Sequence, residues 1–153
     1  MHIQATKPDT VGVALNNDPV GLAAYILEKF SGATNYSHVD LEDGGLTHSF
    51  TYDQLINNVM IYWLSSSITT SARIYKESLL LSLTDKFQVK VPVAALVAKH
   101  EVPHAPKSIN KETYVNTIQY TDLDEGGHFL SYQLPEVVAK DIENFAVKLQ
   151  LIK

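Results

Sequence analysis

Cysteine is absent from the 153 residues, which excludes disulfides, thiolate metal sites and thiol nucleophiles together and leaves the redox compartment open. Charge is sparse as well, at 19% of residues, and 12 lysines and arginines face 17 acids, for a net charge of −5. That balance lacks the clustered basic surface needed to neutralise phosphates, so no nucleic acid partner is expected. No apolar run exceeds six residues, the length of Val93 to Ala98, against the roughly 20 that span a bilayer. Lys7, Asp9, Asn16, Asn17 and Asp18 interrupt the first twenty residues, so no secretory apolar core is present there. What is present is a 45% hydrophobic chain long enough to bury one core.

Along the chain, residues 1–18 read as loop or short helix, rich in Thr, Pro, Asn and Asp. Asp18 followed by Pro19 is a helix start, with a side-chain acceptor at the N-cap and a ring at the first helical position. The helix runs through Val20 to Phe30 and is expected to end at Ser31-Gly32. A loop with Gly44-Gly45 follows. Thr51 opens the next helix with Gln54 placed as the reciprocal partner of a capping box, and Leu55, Val59, Tyr62 and Trp63 give it a buried face. The hydroxyl-rich stretch Ser65 to Ser71 marks a break before a helix over Ala72 to Leu83. Val89 to Val97 and Val115 to Thr121 read as strands, separated by a loop holding Pro103 and Pro106. Pro135 to Leu149 closes as an amphipathic helix with Val138, Ile142, Phe145 and Leu149 on its apolar face. Two strands do not make a stable sheet core alone.

Among chemical motifs, His100-Glu101-Val102-Pro103-His104 fits the H-E-x-x-H pattern of zinc peptidases. That chemistry needs both histidines on one helical face, and Pro103 disrupts the required turn. No metal site is expected. Asp122-Leu123-Asp124-Glu125-Gly126 resembles the start of a calcium loop, but Gln133 stands where the bidentate Glu belongs. Gly126-Gly127-His128-Phe129 follows a strand, and open α/β sheets place catalytic groups at such strand ends. Glu101 also follows a strand. If the two strands are neighbours, Glu101 and His128 meet as the acid and histidine of a hydrolytic set; the alternative is a surface turn with an incidental histidine. Tyr75, on a helix, reads by itself as half-buried packing.

Several segments carry a resemblance to a known family. His2-Ile3-Gln4-Ala5-Thr6-Lys7-Pro8-Asp9-Thr10-Val11-Gly12 and Pro19 to Phe30 closely resemble the microsomal epoxide hydrolases. So do Leu41-Glu42-Asp43-Gly44-Gly45-Leu46, Asn58 to Trp63, Tyr75-Lys76-Glu77 and Gly126-Gly127-His128-Phe129. Within the family the likeness is to the insect juvenile hormone enzymes, and it runs over nearly the whole chain. It implies a partial α/β-hydrolase fold, with residues 1–84 as the remainder of a helical lid and 85–153 as the last two strands and last helix of the core.

In that family an aspartate attacks an epoxide carbon while two lid tyrosines hydrogen-bond to the oxygen, and a histidine paired with an acid activates water to cleave the ester. The resemblance makes His128 the base, Glu101 its acidic partner and Tyr75 one oxygen donor, without a cofactor. None of the nine aspartates sits in a nucleophile elbow. The nucleophile, the other tyrosine and the family's membrane anchor are therefore expected upstream, in a longer protein of the endoplasmic reticulum whose C-terminal part this is; the start at Met1-His2-Ile3 suits that expectation. The 153 residues alone are expected to be inactive, and soluble or cytoplasmic. The competing expectation is a non-catalytic remnant that binds apolar ligands between Tyr25, Tyr62, Trp63 and Tyr75.

Overall fold

The computed structural model describes residues 2–81, 87–102 and 111–152. They fall into two compact units, one of Met1–Lys29 with Leu46–Asp85 and one of Phe30–Gly45 with Lys86–Lys153.

The first unit is helical. It contains α1 (His2–Thr6), α2 (Pro8–Asn17), the first part of α3 (Pro19–Thr34), α4 (Tyr52–Ser65) and α5 (Ile68–Leu81). Residues 2–17 are thus more ordered than their Asn and Asp content suggests. Pro8 starts α2 with a preset φ, and Leu15 is buried. Helices α1 and α2 both pack on α5. Gly12 makes the α2–α5 approach possible, because a Cβ there would meet Thr69 Cα and Oγ1 at 2.5 Å.

At the start of α3, Asp18 Oδ1 accepts the Val20 N–H at 2.9 Å. The helix passes the expected stop at Ser31-Gly32 and reaches Thr34. Thr51 and Gln54 form the capping box of α4, with the Gln54 N–H on Thr51 Oγ1 at 3.2 Å and the Thr51 N–H on Gln54 Oε1 at 2.8 Å. The break after α4 is narrower than the hydroxyl-rich sequence suggests. Ser66 alone turns left-handed, at φ 50°, and α5 begins at Ile68; the expected helix end at Leu83 lies outside the described residues. Leu22, Ile26, Phe50, Leu55, Val59, Ile68 and Ala72 are buried in this unit, each large side chain contributing about 1.5–3 kcal/mol by leaving water. The Arg73 guanidinium beside Asp9 holds that exposed carboxyl below the usual carboxylate range.

The second unit holds the end of α3, a loop with short 3-10 turns, and strands β1 (Val93–Val97) and β2 (Thr117–Asp122). Short α6 (Leu130–Gln133) and α7 (Pro135–Lys148) complete it. The strands pair in parallel, with Leu96 opposite Thr121 and Val97 opposite Asp122 after an irregularity near Val93. Both are shorter than expected, although an isolated bridge joins Val89 to Tyr114.

Val138, Phe145 and Leu149 of the expected apolar stripe are half-buried, and α7 departs from the stripe at one position. Asp141 is its buried residue, with Thr121 Oγ1 donating to Asp141 Oδ1 at 2.7 Å and Gln119 Nε2 to the Asp141 carbonyl at 2.8 Å. Ile142, on the stripe, is 62% exposed. Hydrogen bonds from β2 therefore fix which face of α7 meets the sheet, since a buried carboxylate has to be paired.

Two glycine substitutions should separate packing from propensity. Gly12→Ala is expected to destabilise the protein by about 1–3 kcal/mol through overpacking against Thr69. Gly32→Ala in α3 meets only Val39 Cγ1, at 4.0 Å, and should stabilise by about 0.5–1 kcal/mol. Urea denaturation of both variants checks this, and equal shifts of one sign would contradict it.

Candidate active site

The ladder between β1 and β2 continues beyond both strands. Val97 faces Asp122 and His100 faces Gly127, so three steps on one side match five on the other. The extra length is taken up by the turn Leu123–Gly126, where Gly126 adopts φ 80°. The Lys99 N–H bonds the Glu125 carbonyl at 3.2 Å and the His100 N–H bonds the Gly126 carbonyl at 2.9 Å. One residue further on, Glu101 and His128 stand side by side.

His128 Nδ1 lies 2.6 Å from Glu101 Oε1. An ionised carboxylate only accepts, so against it Nδ1 carries the hydrogen, and in a neutral ring Nε2 is then the acceptor. Glu101 Oε1 also accepts the Val102 N–H at 2.8 Å, which fixes the carboxylate from its own backbone. The pair is not sealed from water, with the histidine side chain 53% exposed and the glutamate 33%. His100 is held in the bridge to Gly127 rather than in a helix, while Pro103 and His104 lie outside the described residues. Among the described residues no cluster of three His, Asp or Glu could hold a metal.

The loop around His128 is tied down by contacts that no sequence motif signals. The His128 N–H donates to the Ala33 carbonyl at 2.9 Å. The Gly127 N–H donates to Gln133 Oε1 at 3.0 Å. Phe129 stacks on Phe30 with centroids 4.1 Å apart and planes 8° from parallel. Gly127 itself passes so close to the end of α3 that a Cβ would meet the Ala33 carbonyl at 2.6 Å. The signal available in the sequence was the aromatic residue directly after the histidine, but its partner lies 99 residues away, at Phe30.

The aromatic candidates lie in the other unit. Tyr75, on α5, is 40% exposed. Tyr62 and Trp63 are half-buried on α4, and Tyr25 is half-buried on α3. Burial, then Glu28 and Tyr75, push the Tyr25 phenol above its ordinary value. Among the described residues the Tyr25 hydroxyl is buried without a hydrogen-bond partner, and Lys29 Nζ sits 4.9 Å from its ring centroid.

Two outcomes follow from this geometry. Gly127→Ala should destabilise the protein by about 1–3 kcal/mol, since backbone atoms block the added methyl; an unchanged urea midpoint would contradict the close approach. Folding raises the Tyr25 phenol, so its contribution is whole below the unfolded value of about 10 and is lost as pH climbs from there through the folded value. Tyr25→Phe should therefore lose less stability than the parent in alkaline titration, and parallel curves would contradict that.

No protein-family model matches the chain. It is 51% identical over 147 residues to the juvenile hormone epoxide hydrolase of Bombyx mori, covering 93% of this chain and 32% of that protein. It is 48% identical over 149 residues to epoxide hydrolase 1 of Sus scrofa, covering 95% and 33%. The crystal structure of the Bombyx mori juvenile hormone epoxide hydrolase superposes with a TM-score of 0.90 at 47% identity, over 99% of this chain and 39% of that one. The Aspergillus niger epoxide hydrolase structure, at 22% identity and TM-score 0.74, shows the shared fold. The chain spans about a third of the length of the relatives it matches. With part of an α/β-hydrolase fold and this degree of identity, it belongs to the epoxide hydrolase family that includes the juvenile hormone enzymes and epoxide hydrolase 1.

Proposed function

We propose that this chain is the C-terminal part of an enzyme that converts an apolar epoxide, juvenile hormone or a xenobiotic, into a diol through an alkyl–enzyme ester. His128 is the base, Glu101 its acid partner and Tyr75 a hydrogen-bond donor to the epoxide oxygen. The observation that carries this reading is the 2.6 Å contact between His128 Nδ1 and Glu101 Oε1 at the ends of two paired strands. In the first step an aspartate outside these residues attacks an epoxide carbon, the carbon–oxygen bond breaks, and the oxygen takes its proton from a phenol. In the second, His128 Nε2 removes a proton from water, the resulting hydroxide adds to the ester carbonyl, and the acyl–oxygen bond breaks. The departing alkoxide takes the imidazolium proton to give the diol, and the proton left on the regenerated carboxyl returns to the phenolate. Glu101 stabilises the imidazolium formed on the way and keeps the productive tautomer. Neither step needs a cofactor.

In the same reading residues 1–84 are the remainder of the lid, Tyr25, Tyr62 and Trp63 line the apolar pocket, and 85–153 end the core. An anchor in the endoplasmic reticulum membrane lies upstream; within the described residues no helix is long and apolar enough to cross a membrane. The 153 residues by themselves do not turn over, because the covalent step has no nucleophile.

The test is a chimera in which this chain replaces the matching third of the Bombyx mori enzyme. It should hydrolyse a small apolar epoxide such as styrene oxide. His128→Ala in the chimera should lower turnover by about 10²–10⁴-fold while one equivalent of covalent adduct accumulates, seen by intact-protein mass spectrometry. Tyr75→Phe should slow formation of that adduct by about 10²-fold. A folded chimera with neither turnover nor adduct would sink the proposal, as would epoxide hydrolysis by the 153 residues alone.

A further inference from the structure

We propose that Phe30 and Gln133 are positioning residues for His128, clamping its loop from two sides so that Nδ1 is presented to Glu101. The inference rests on the reading of His128 as the base only for its consequence for rate; the clamp itself is a statement about geometry. A histidine–carboxylate pair this open to water contributes little and is readily lost to side-chain entropy. The His128 ring is 53% exposed and still stands 2.6 Å from Glu101. Something other than the pair's own attraction has to hold the two together, and the backbone on both sides of His128 supplies it.

On one side, Gln133 in α6 takes the Gly127 N–H at 3.0 Å. This bond ties the last residue of α6 back to the turn and fixes the peptide that precedes the histidine. On the other side, the Phe129 ring lies flat on Phe30 at 4.1 Å, and Phe30 is only 7% exposed. Between the two, the His128 N–H is held by the Ala33 carbonyl at 2.9 Å, one turn beyond Phe30 on the same helix. The face of the imidazole is set as well, because the His128 and Phe129 rings meet edge to face at 5.4 Å and 78°. Rotation of Phe129 off Phe30 would carry that contact with it. The end of α3 thus acts as a platform, the stack seats the loop on it, and Gln133 closes the loop from the opposite end.

The clamp should be visible without any epoxide. In alkaline buffer a neutral histidine bonded through Nδ1 to a carboxylate shows imidazole 15N shifts of the Nδ1–H tautomer, whereas a released one shows those of an unstructured peptide. The measurement is long-range 1H–15N correlation on the labelled protein, with His128 assigned among the six histidines by its loss in His128→Gln. The parent is expected to show the Nδ1–H signature. Gln133→Met, which keeps the volume and removes the acceptor, and Phe30→Leu, which removes the stack, should each lose it while circular dichroism stays that of the folded protein. Gln133→Glu, which restores an acceptor, should regain it. If Phe30→Leu does not fold, Gln133→Met decides alone. A folded Gln133→Met with the parent's signature would overturn the proposal, and so would a parent lacking the signature. Failure of the epoxide chimera with the signature intact would count against the enzyme reading and leave the clamp standing.

Discussion

Parallel pairing between β1 and β2 that persists past the last residue of each strand is the constraint on which the site depends. A register set by Leu96 opposite Thr121 and Val97 opposite Asp122 would by itself leave Glu101 well short of His128. The turn at Leu123–Gly126 absorbs two extra residues, and the bridge from His100 to Gly127 re-establishes the ladder one step before the pair. Only a residue without a Cβ passes at Gly127 beneath the end of α3. Sheet register, a positive-φ glycine and a close backbone approach therefore act in sequence, and the acid–histidine contact is their product.

The same unit shows how polar groups, rather than apolar stripes, decide orientation where the sheet is narrow. Asp141 takes its hydrogen bonds from β2, and that outweighs the exposure of Ile142. In the helical unit the reverse holds. There Leu22, Leu55 and Ile68 are buried, and the exposed Arg73–Asp9 ion pair adds a contact that water and salt screen.

Much of this was legible in the chain because the signals are local. Asp18-Pro19 and the Thr51/Gln54 box state their own helix starts, and both strands and the final helix appear within a few residues of their expected ends. The fold class and the family were legible through motifs. Residues 2–17 were not, because their helices depend on packing against α5, which no local propensity encodes. The extension of α3 past Gly32 has the same kind of cause, since Ser31 Oγ finds an acceptor in the Gly44 carbonyl at 2.6 Å. At the site, two residues placed after strand ends pointed to Glu101 and His128 as a pair. The supports Phe30, Ala33 and Gln133 were silent, being contacts between distant segments or backbone atoms without a side-chain signature.

Amide hydrogen exchange at His100 and His128 tests the pairing most directly, because these two N–H groups bond the Gly126 and Ala33 carbonyls only when the ladder continues and the loop is seated. Both should exchange as slowly as the amides of β2. Exchange at the rate of an unstructured peptide at His100, with β2 still protected, would mean that the ladder ends with the strands and that Glu101 and His128 are not held together.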